Sequence, residues 1–253
     1  DLTAYFNTFP AGALEKWLEI NSERLLNPVF RSFQAELENV YEEFNMYQDE
    51  LNTHQRQFLF GNIYKGTPYE RDVIGFQHHL KNPSLSKLIE FFQTWYVPNN
   101  MAICLSGDFN PDEMVAIIEK HFGGMKPNPQ LPVLEVKEEA PITTPIVREV
   151  WGLEAENLMM AWRTPKASDK DADGMNLLAN LLYNGQAGLI DLNVNQQQKV
   201  LGAYAGMYSQ ADHSLLIMAG NPKAGQTLEE VKDLMLAEVE KLRKGEFDEG
   251  LLQ

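Results

Sequence analysis

Two glutamates that stand seven residues apart, Glu36 and Glu43, are the side chains best suited to metal or proton chemistry in this sequence. They flank an apolar stripe of helical spacing, about 60–80° from its centre on a wheel of about 100° per residue. A carboxylate at the edge of a buried helix face is costly to desolvate, so it needs a cation, a metal ion or strong hydrogen-bond donors as a partner. No Lys or Arg stands between Arg31 and Arg56, so the helix supplies no cation. The stripe comprises Phe33, Leu37, Val40, Phe44, Tyr47 and Leu51.

Two interpretations of this pair are open. In the first, both glutamates merely flank a core helix and reach solvent along their flexible stems. In the second, one is a metal ligand and the other orients a ligand or handles protons. Their separation corresponds to roughly 10 Å along a helix axis, so the two carboxylates cannot chelate one ion together. At most one of them is a direct ligand, and a zinc site needs about three protein ligands.

The histidines do not complete a metal site by their spacing. His54 lies about 16 Å further along the helix than the second glutamate, if the helix is unbroken. The adjacent His78 and His79 indicate a surface turn, because neighbouring side chains diverge in regular structure. His121 and His213 stand alone, and neither H-x-x-E-H nor H-E-x-x-H occurs in the sequence.

The composition limits the classes of partner. A formal net charge of −15 over 253 residues disfavours nucleic-acid binding and adhesion to anionic membranes, which both need a basic surface. No apolar run approaches the roughly 18 residues that span a bilayer. Cys104 is the single cysteine, which excludes an internal disulfide, and its apolar neighbours predict a buried thiol. We expect a soluble protein of the cytoplasm or the bacterial periplasm, with no nucleic-acid or membrane partner.

Apolar spacing and turn signals predict the elements that must position these residues. The Glu-rich helix is predicted to continue to about Phe60. A later helix has Asn110 as its N-cap and Pro111 in its first turn. Further helices are predicted at 11–26, at 171–184, at 228–244, and at 84–95 with Asn82 as N-cap and Pro83 in the first turn. Strands are predicted at 101–105, 146–151, 157–162, 204–209 and 214–219.

A proline-rich segment, residues 126–143, divides the chain into two predicted domains, 1–125 and 144–253. The sequence begins with Asp1 rather than Met, and it stops shortly after a strong helix. We therefore expect an internal or processed start and a fragment of a longer protein.

Residues 36–43, ELENVYEE, resemble the second signature of the inverzincin metallopeptidases. This is the insulinase/pitrilysin family, which includes the mitochondrial processing peptidases. The resemblance implies α+β domains in two layers, each with a largely antiparallel sheet and helices packed on one face. Further similar motifs occur at Thr3–Tyr5 with Pro10, Ser22–Arg24 with Asn27–Phe30, Pro68–Tyr69 with Ile74–Gly75, and Trp95–Met101 with Gly107–Asp108.

The resemblance also implies roles for the two glutamates. Glu43 would be the third zinc ligand and Glu36 the supporting acid. The H-x-x-E-H helix, with two histidine ligands and the general-base glutamate, would lie before Asp1. Residues 1–125 would be the later part of the first peptidase domain, and 144–253 an incomplete, homologous, non-catalytic second domain.

One departure from the family concerns the loop 184–192, where Gly188, Leu189 and Ile190 replace an Arg-rich ending. This departure puts the conventional substrate contacts of the second domain in doubt. The expected parent is a zinc metalloendopeptidase of peptides or unfolded segments, and this chain alone is expected to be inactive. The alternative is a catalytically silent family member that acts as a scaffold or substrate-binding partner. In either case the expected partners are a peptide and the rest of the polypeptide or a homologous subunit, which together enclose a chamber.

Overall fold

A computed structural model describes residues 2–133, 135 and 140–252 of the chain. The chain forms two compact units, one of residues 1–44 and 74–135 and the other of residues 45–73 and 136–253. The division after residue 135 falls inside the predicted linker 126–143. Residues 134 and 136–139 of that linker, and the predicted start at Asp1, lie outside the described residues. Segment 45–73 groups with the second unit, whereas the sequence-based division assigns it to the first domain.

Helices account for most of the regular structure in the described residues. Most of those predicted from the sequence are confirmed, within a few residues at their ends. A π-helical turn at Asp191–Asn195 has no counterpart among the predicted elements. The α-helices are α1 (Leu14–Leu26), α2 (Phe33–Gln48), α3 (Leu51–Ile63), α4 (Gln77–Lys81), α5 (Leu85–Trp95), α6 (Pro111–Phe122), α7 (Ala172–Leu182) and α8 (Leu228–Lys244).

Side-chain caps fix several helix ends. Asn110 accepts hydrogen bonds from the backbone N–H groups of Asp112 and Glu113 at the start of α6, as its predicted N-cap role requires. The N-cap of α5 is Ser84, which accepts from the N–H of Lys87. The predicted N-cap, Asn82, is therefore wrong by two residues, because the hydroxyl of Ser84, one residue beyond the proline, satisfies the first-turn donor.

The Glu-rich helix is not continuous to Phe60, as the sequence predicted. It ends at Gln48, and α3 begins at Leu51 after Asp49 and Glu50. A helix C-terminus carries partial negative charge and an N-terminus partial positive charge. The carboxylates of Asp49 and Glu50 are therefore more stable just before the N-terminus of α3 than in a last turn of α2. This preference accounts for the break.

The second unit contains an antiparallel sheet of three strands, β1 (Leu158–Thr164), β2 (Gly202–Tyr208) and β3 (Ser214–Asn221). Their order is β1-β3-β2, so β3 lies in the centre. The predicted strands at 157–162, 204–209 and 214–219 are confirmed, and so is the α+β class. Register places Met160 and Ala205 on either side of Met218.

The two faces of this sheet are covered differently. One face buries Met218 against Val231 and Met235 of α8 and Leu182 of α7, as expected for helices packed on a sheet. Gly220 of β3 lies on this face, where an added Cβ would be 2.6 Å from Val231 Cγ1. The opposite face packs against α3, with Leu215 among Phe60, Ile63 and Tyr64. Both clusters lie within the second unit.

Two predicted strands are absent from the described residues. Segment 101–105 is irregular and Cys104 is exposed, so the predictions of a buried strand and a buried thiol are wrong. Segment 146–151 is also irregular, with Trp151 87% exposed. An apolar run becomes a strand only when a neighbour satisfies its backbone groups, and among the described residues only β1, β2 and β3 pair.

Candidate metal centre

Helix α2 carries both predicted site residues, Glu36 and Glu43. It starts after Ser32, whose positive φ of 59° turns the chain and whose carbonyl accepts the N–H of Glu36 at 2.9 Å. Phe44 is the buried residue of the helix, at 8% exposure. Tyr41 lies half-buried one turn earlier, and its hydroxyl accepts a hydrogen bond from Gln77 Nε2 at 3.1 Å. These contacts attach the helix to its surroundings along one narrow stripe of its surface.

Both glutamates are exposed, and their separation of seven residues places them on the same side of α2. The prediction that they lie at a buried margin is wrong, because the apolar stripe is shallower than its spacing indicates. Val40 is exposed, and Tyr47 is 40% exposed. Because these carboxylates are exposed, they do not need a metal ion to compensate for lost hydration. Both side chains are solvent-exposed, and the distance of roughly 10 Å along the axis still keeps them from sharing one ion.

Four of the histidines have local contacts of their own. His54 belongs to α3, beyond the helix break, and its Nε2 lies 2.7 Å from the Gln48 carbonyl oxygen. The rings of His78 and His79 are 4.1 Å apart in α4, so the prediction that these side chains diverge is wrong. Phe76 explains this approach, because it stacks on His78 and meets the edge of His79. His121 Nε2 lies 3.7 Å from a carboxylate oxygen of Glu15.

The donor set of the described residues fits a single zinc ligand. No group of three or more His, Cys, Asp or Glu side chains in this part of the chain could hold a metal ion. An exposed carboxylate such as that of Glu43 can supply one oxygen ligand, whereas zinc in proteins takes three or four protein ligands. A zinc ion bound to Glu43 would therefore need further donors, which the described residues do not group together.

The loop that departs from the family pattern is held by a carboxylate that sequence reasoning did not select. Buried Asp191 accepts hydrogen bonds at 3.0 Å from the N–H groups of Asn184, Gly185 and Gly188. The side-chain oxygen of Asn184 accepts hydrogen bonds from the N–H groups of residues 186 and 187. The signal in the sequence is an Asn-Gly pair followed by an Asp within one short loop, which is typical of side-chain-to-backbone turns.

The sequence matches the model of the family described as Peptidase M16 inactive domain, over residues 84–253. The chain belongs to this family. This confirms the resemblance to the insulinase/pitrilysin metallopeptidases, whose M16 fold the described elements follow. Glu36 and Glu43 precede the matched range, so their roles do not follow from this match.

Other M16 proteins are similar along the whole chain. Zinc protease PqqE of Helicobacter pylori is 26% identical over 265 residues, which include 100% of this chain and 58% of that protein. A protease structure from Helicobacter pylori superposes with a TM-score of 0.83 at 22% identity, over 96% of this chain and 61% of that one. Pitrilysin gives a TM-score of 0.66 at 18% identity, over 95% of this chain and 27% of its own. The chain thus spans somewhat more than half of the length of this Helicobacter pylori zinc protease.

None of the helices in the described residues is both long and apolar enough to cross a membrane.

Proposed function

We propose that this chain is part of a zinc metalloendopeptidase that hydrolyses peptide bonds of peptides or unfolded segments. The observation that carries the proposal is the placement of Glu36 and Glu43, both exposed and on the same side of one uninterrupted helix in an M16 protein. The Helicobacter pylori relative that matches the entire chain is named a zinc protease, which supports the same class.

The two glutamates have different roles in this proposal. Glu43 supplies one carboxylate ligand, and the remaining ligands come from the rest of the parent polypeptide. Glu36, two turns away, is too distant to bind the same ion and orients a neighbouring ligand through hydrogen bonds. Zinc, when bound, polarises the scissile carbonyl and lowers the pKa of a bound water. The isolated chain binds zinc weakly and does not cleave peptides. Its partners are a peptide substrate and the rest of its own polypeptide or a homologous subunit.

A second candidate is a catalytically silent family member that acts as a scaffold or a substrate-binding partner. It is favoured by the loop 184–192, where Gly188, Leu189 and Ile190 replace an Arg-rich ending and Asp191 turns inward to the loop backbone. A basic residue reaching outward could contact a substrate, whereas these apolar residues and the buried acid offer no such charge. The match to the inactive domain supports neither candidate over the other, because active parents contain such a domain too.

The two glutamates can be separated in the full-length parent protein. Glu43→Gln removes the anionic ligand, so we expect loss of bound zinc by metal analysis and loss of peptidase activity. Glu36→Gln is expected to retain most zinc and to lower kcat. Glu42→Gln is the matched control, since this exposed glutamate is adjacent to Glu43 but points about 100° away around the helix.

Equal loss of zinc in Glu43→Gln and Glu36→Gln would contradict the assignment of roles. A parent that binds no zinc, or that binds zinc equally well after Glu43→Gln, supports the silent candidate instead. Stoichiometric zinc on the isolated 253-residue chain would contradict the proposal that other segments supply the remaining ligands.

A further inference from the structure

The sheet of the second unit has a free edge at β1, because the order β1-β3-β2 gives β1 one neighbour among the described residues. Ala203 of β2 faces away from β3, since both of its backbone groups bond to a side-chain amide of the π-helical turn. Ladder bonds alternate along an antiparallel strand, so Gly220, which is opposite Ala203, bonds to Leu158 of β1. The N–H and C=O groups of Met159 and Ala161 therefore point outward from the sheet.

This edge lacks the features that keep exposed strands from pairing with other chains, such as bulges, prolines and outward-facing lysines. The register of β1 with β3 has no bulge, and the strand contains neither Pro nor Lys. Its charged side chain, Arg163, donates to the carbonyl oxygen of Ile63 in α3 at 2.7 Å. No described residue bonds to the outward groups of Met159 or Ala161. An apolar edge of this kind needs a partner strand.

The residues just before β1 are held away from this edge. The N–H of Leu51, at the start of α3, donates to Glu154 Oε1 at 3.4 Å. One turn along, Gln55 Nε2 donates to Asn157 Oδ1 at 2.7 Å. These contacts bind the segment before β1 to α3, which covers a face of the sheet rather than its edge. The irregular residues 146–151 therefore do not fold back beside β1 as the first strand of a hairpin.

Helix α8 leads the chain toward the β1 edge. On the face of the sheet that α7 and α8 share, α7 contacts β2, whereas α8 contacts β3 and β1. The 17 residues of α8 span about 25 Å, and the 8 residues of β3 span about 26 Å. The helix therefore returns the chain to the end of the sheet where β3 begins. Gly245, with a φ of 73°, ends the helix there, so a following strand would run parallel to β3.

The order of the elements indicates the position of that following strand. β1 and β2 are joined by α7, run parallel to each other and have β3 between them. The same arrangement of β3, α8 and a following strand leaves one strand between the two parallel strands. Because α8 lies over β1, that intervening strand is β1. Two such split βαβ units form the β-α-β-β-α-β motif, of which the described residues contain all but the last strand.

We propose that the free edge of β1 binds, in antiparallel orientation, a strand of the parent polypeptide that follows residue 253. The inference rests on the proposal that this chain is part of a longer protease, and it does not involve Glu43. The Helicobacter pylori zinc protease supports it by length, since this chain accounts for 58% of that protein. A strand bound there completes the sheet of the second unit and closes the β1 edge to an extended peptide substrate.

Photo-cross-linking in the full-length parent protein identifies what binds this edge. The photoreactive residue p-benzoylphenylalanine replaces Trp162 of β1, and mass spectrometry locates the cross-linked partner. We expect cross-links within one chain to residues that follow 253. Tyr208 of β2 is the matched control, because it lies at the opposite edge and is 41% exposed, against 40% for Trp162. Cross-links from position 162 to residues 146–151 or to a second chain would overturn the inference. So would the absence of cross-links beyond residue 253, or the same cross-links from position 208.

Amide hydrogen exchange keeps the inference testable if the probe at position 162 disturbs folding. In the unmodified parent protein, the amides of Met159 and Ala161 should exchange about 100-fold more slowly than in an unstructured chain, at every protein concentration. Exchange near the unstructured rate would overturn the inference and leave the proposed function standing. Protection that is lost on dilution indicates a second copy and would also overturn it. A parent with both expected results but no peptidase activity would contradict the proposed function alone.

Discussion

The side-chain amide of Asn195 pairs with both backbone groups of Ala203. Its Nδ2 donates to the Ala203 carbonyl at 2.8 Å, and its Oδ1 accepts the Ala203 N–H at 2.9 Å. Asn195 ends the π-helical turn, and Ala203 lies in β2, which is an edge strand. The amide therefore takes the place of a neighbouring strand at one residue of an open edge.

Removing this pairing should destabilise the second unit. Asn195→Ala leaves the N–H and C=O of Ala203 without protein partners, and we expect a loss of about 1–2 kcal/mol in the free energy of unfolding. Urea denaturation measures this loss. Asn180→Ala, at an exposed position of α7, is the control, and its effect should be near zero or stabilising. An equal effect of the two substitutions would show that the pairing with Ala203 contributes nothing.

Two glycines of the same sheet should respond oppositely to alanine. Gly220→Ala places a methyl group 2.6 Å from Val231 Cγ1 and 3.0 Å from Met235 Sδ, so α8 must move, at an expected cost of about 1–3 kcal/mol. Gly206→Ala meets open space, and we expect stability to be unchanged or raised by up to about 1 kcal/mol. Thermal unfolding of both variants checks the difference. A Gly220→Ala variant as stable as Gly206→Ala would contradict the tight approach of α8 to β3.

A buried acid of α8 depends on one lysine. The Glu238 side chain is 3% exposed, accepts from Asn193 Nδ2 at 2.7 Å and pairs with Lys241 Nζ at 2.8 Å. Lys241→Met leaves the carboxylate buried with the amide alone. We expect a cost of about 1–3 kcal/mol, below the usual figure for a broken buried pair because the lysine is 39% exposed.

The matched control for this lysine is Arg243→Met on the same helix. The side chain of its partner Glu240 is 45% exposed, so the loss should be clearly smaller than that of Lys241→Met. Guanidinium denaturation compares the two variants. Equal losses would mean that burial of Glu238 adds nothing to its pairing with Lys241.

The start of α8 should respond to acid. The Thr227 N–H donates to Glu230 Oε2 at 2.8 Å and the Thr227 hydroxyl at 3.1 Å, and these bonds hold the pKa of the Glu230 carboxyl below its usual value. Because the pKa is lower in the folded state, the contribution to stability is fully present above the unfolded-state pKa. It is lost as the pH falls through the folded-state pKa.

Carboxyl NMR titration gives the pKa of Glu230 directly. Thr227→Ala should move it part of the way back toward the usual value, since the backbone N–H remains. Thr143→Ala, at an exposed position outside the helices, should leave it unchanged. An unaltered Glu230 pKa in Thr227→Ala would contradict the capping contact of the hydroxyl.

The sequence was most informative where local pattern and packing agree. The strands 158–164, 202–208 and 214–221 and the helix 228–244 have apolar spacing that matches their buried faces. The runs at 101–105 and 146–151 have similar local patterns, yet they are irregular in the described structure. Whether an apolar run pairs depends on a distant neighbour, which its own residues do not encode.

The candidate site was predictable in part. The spacing of Glu36 and Glu43 was sufficient to place both on one side of a helix, and it excluded a shared ion. Their exposure was not predictable, because it depends on how shallowly α2 packs around Phe44.

The loop that Asp191 holds has a consequence for any peptide that passes it. All five backbone N–H groups from 184 to 188 are already bonded to Asp191 or Asn184. The shape of the loop is thus set during folding. Little conformational entropy of the loop would therefore be lost if a peptide bound there. The same saturation leaves none of these five N–H groups to bind the terminal carboxylate of a peptide, so recognition of a free end there would need a side chain.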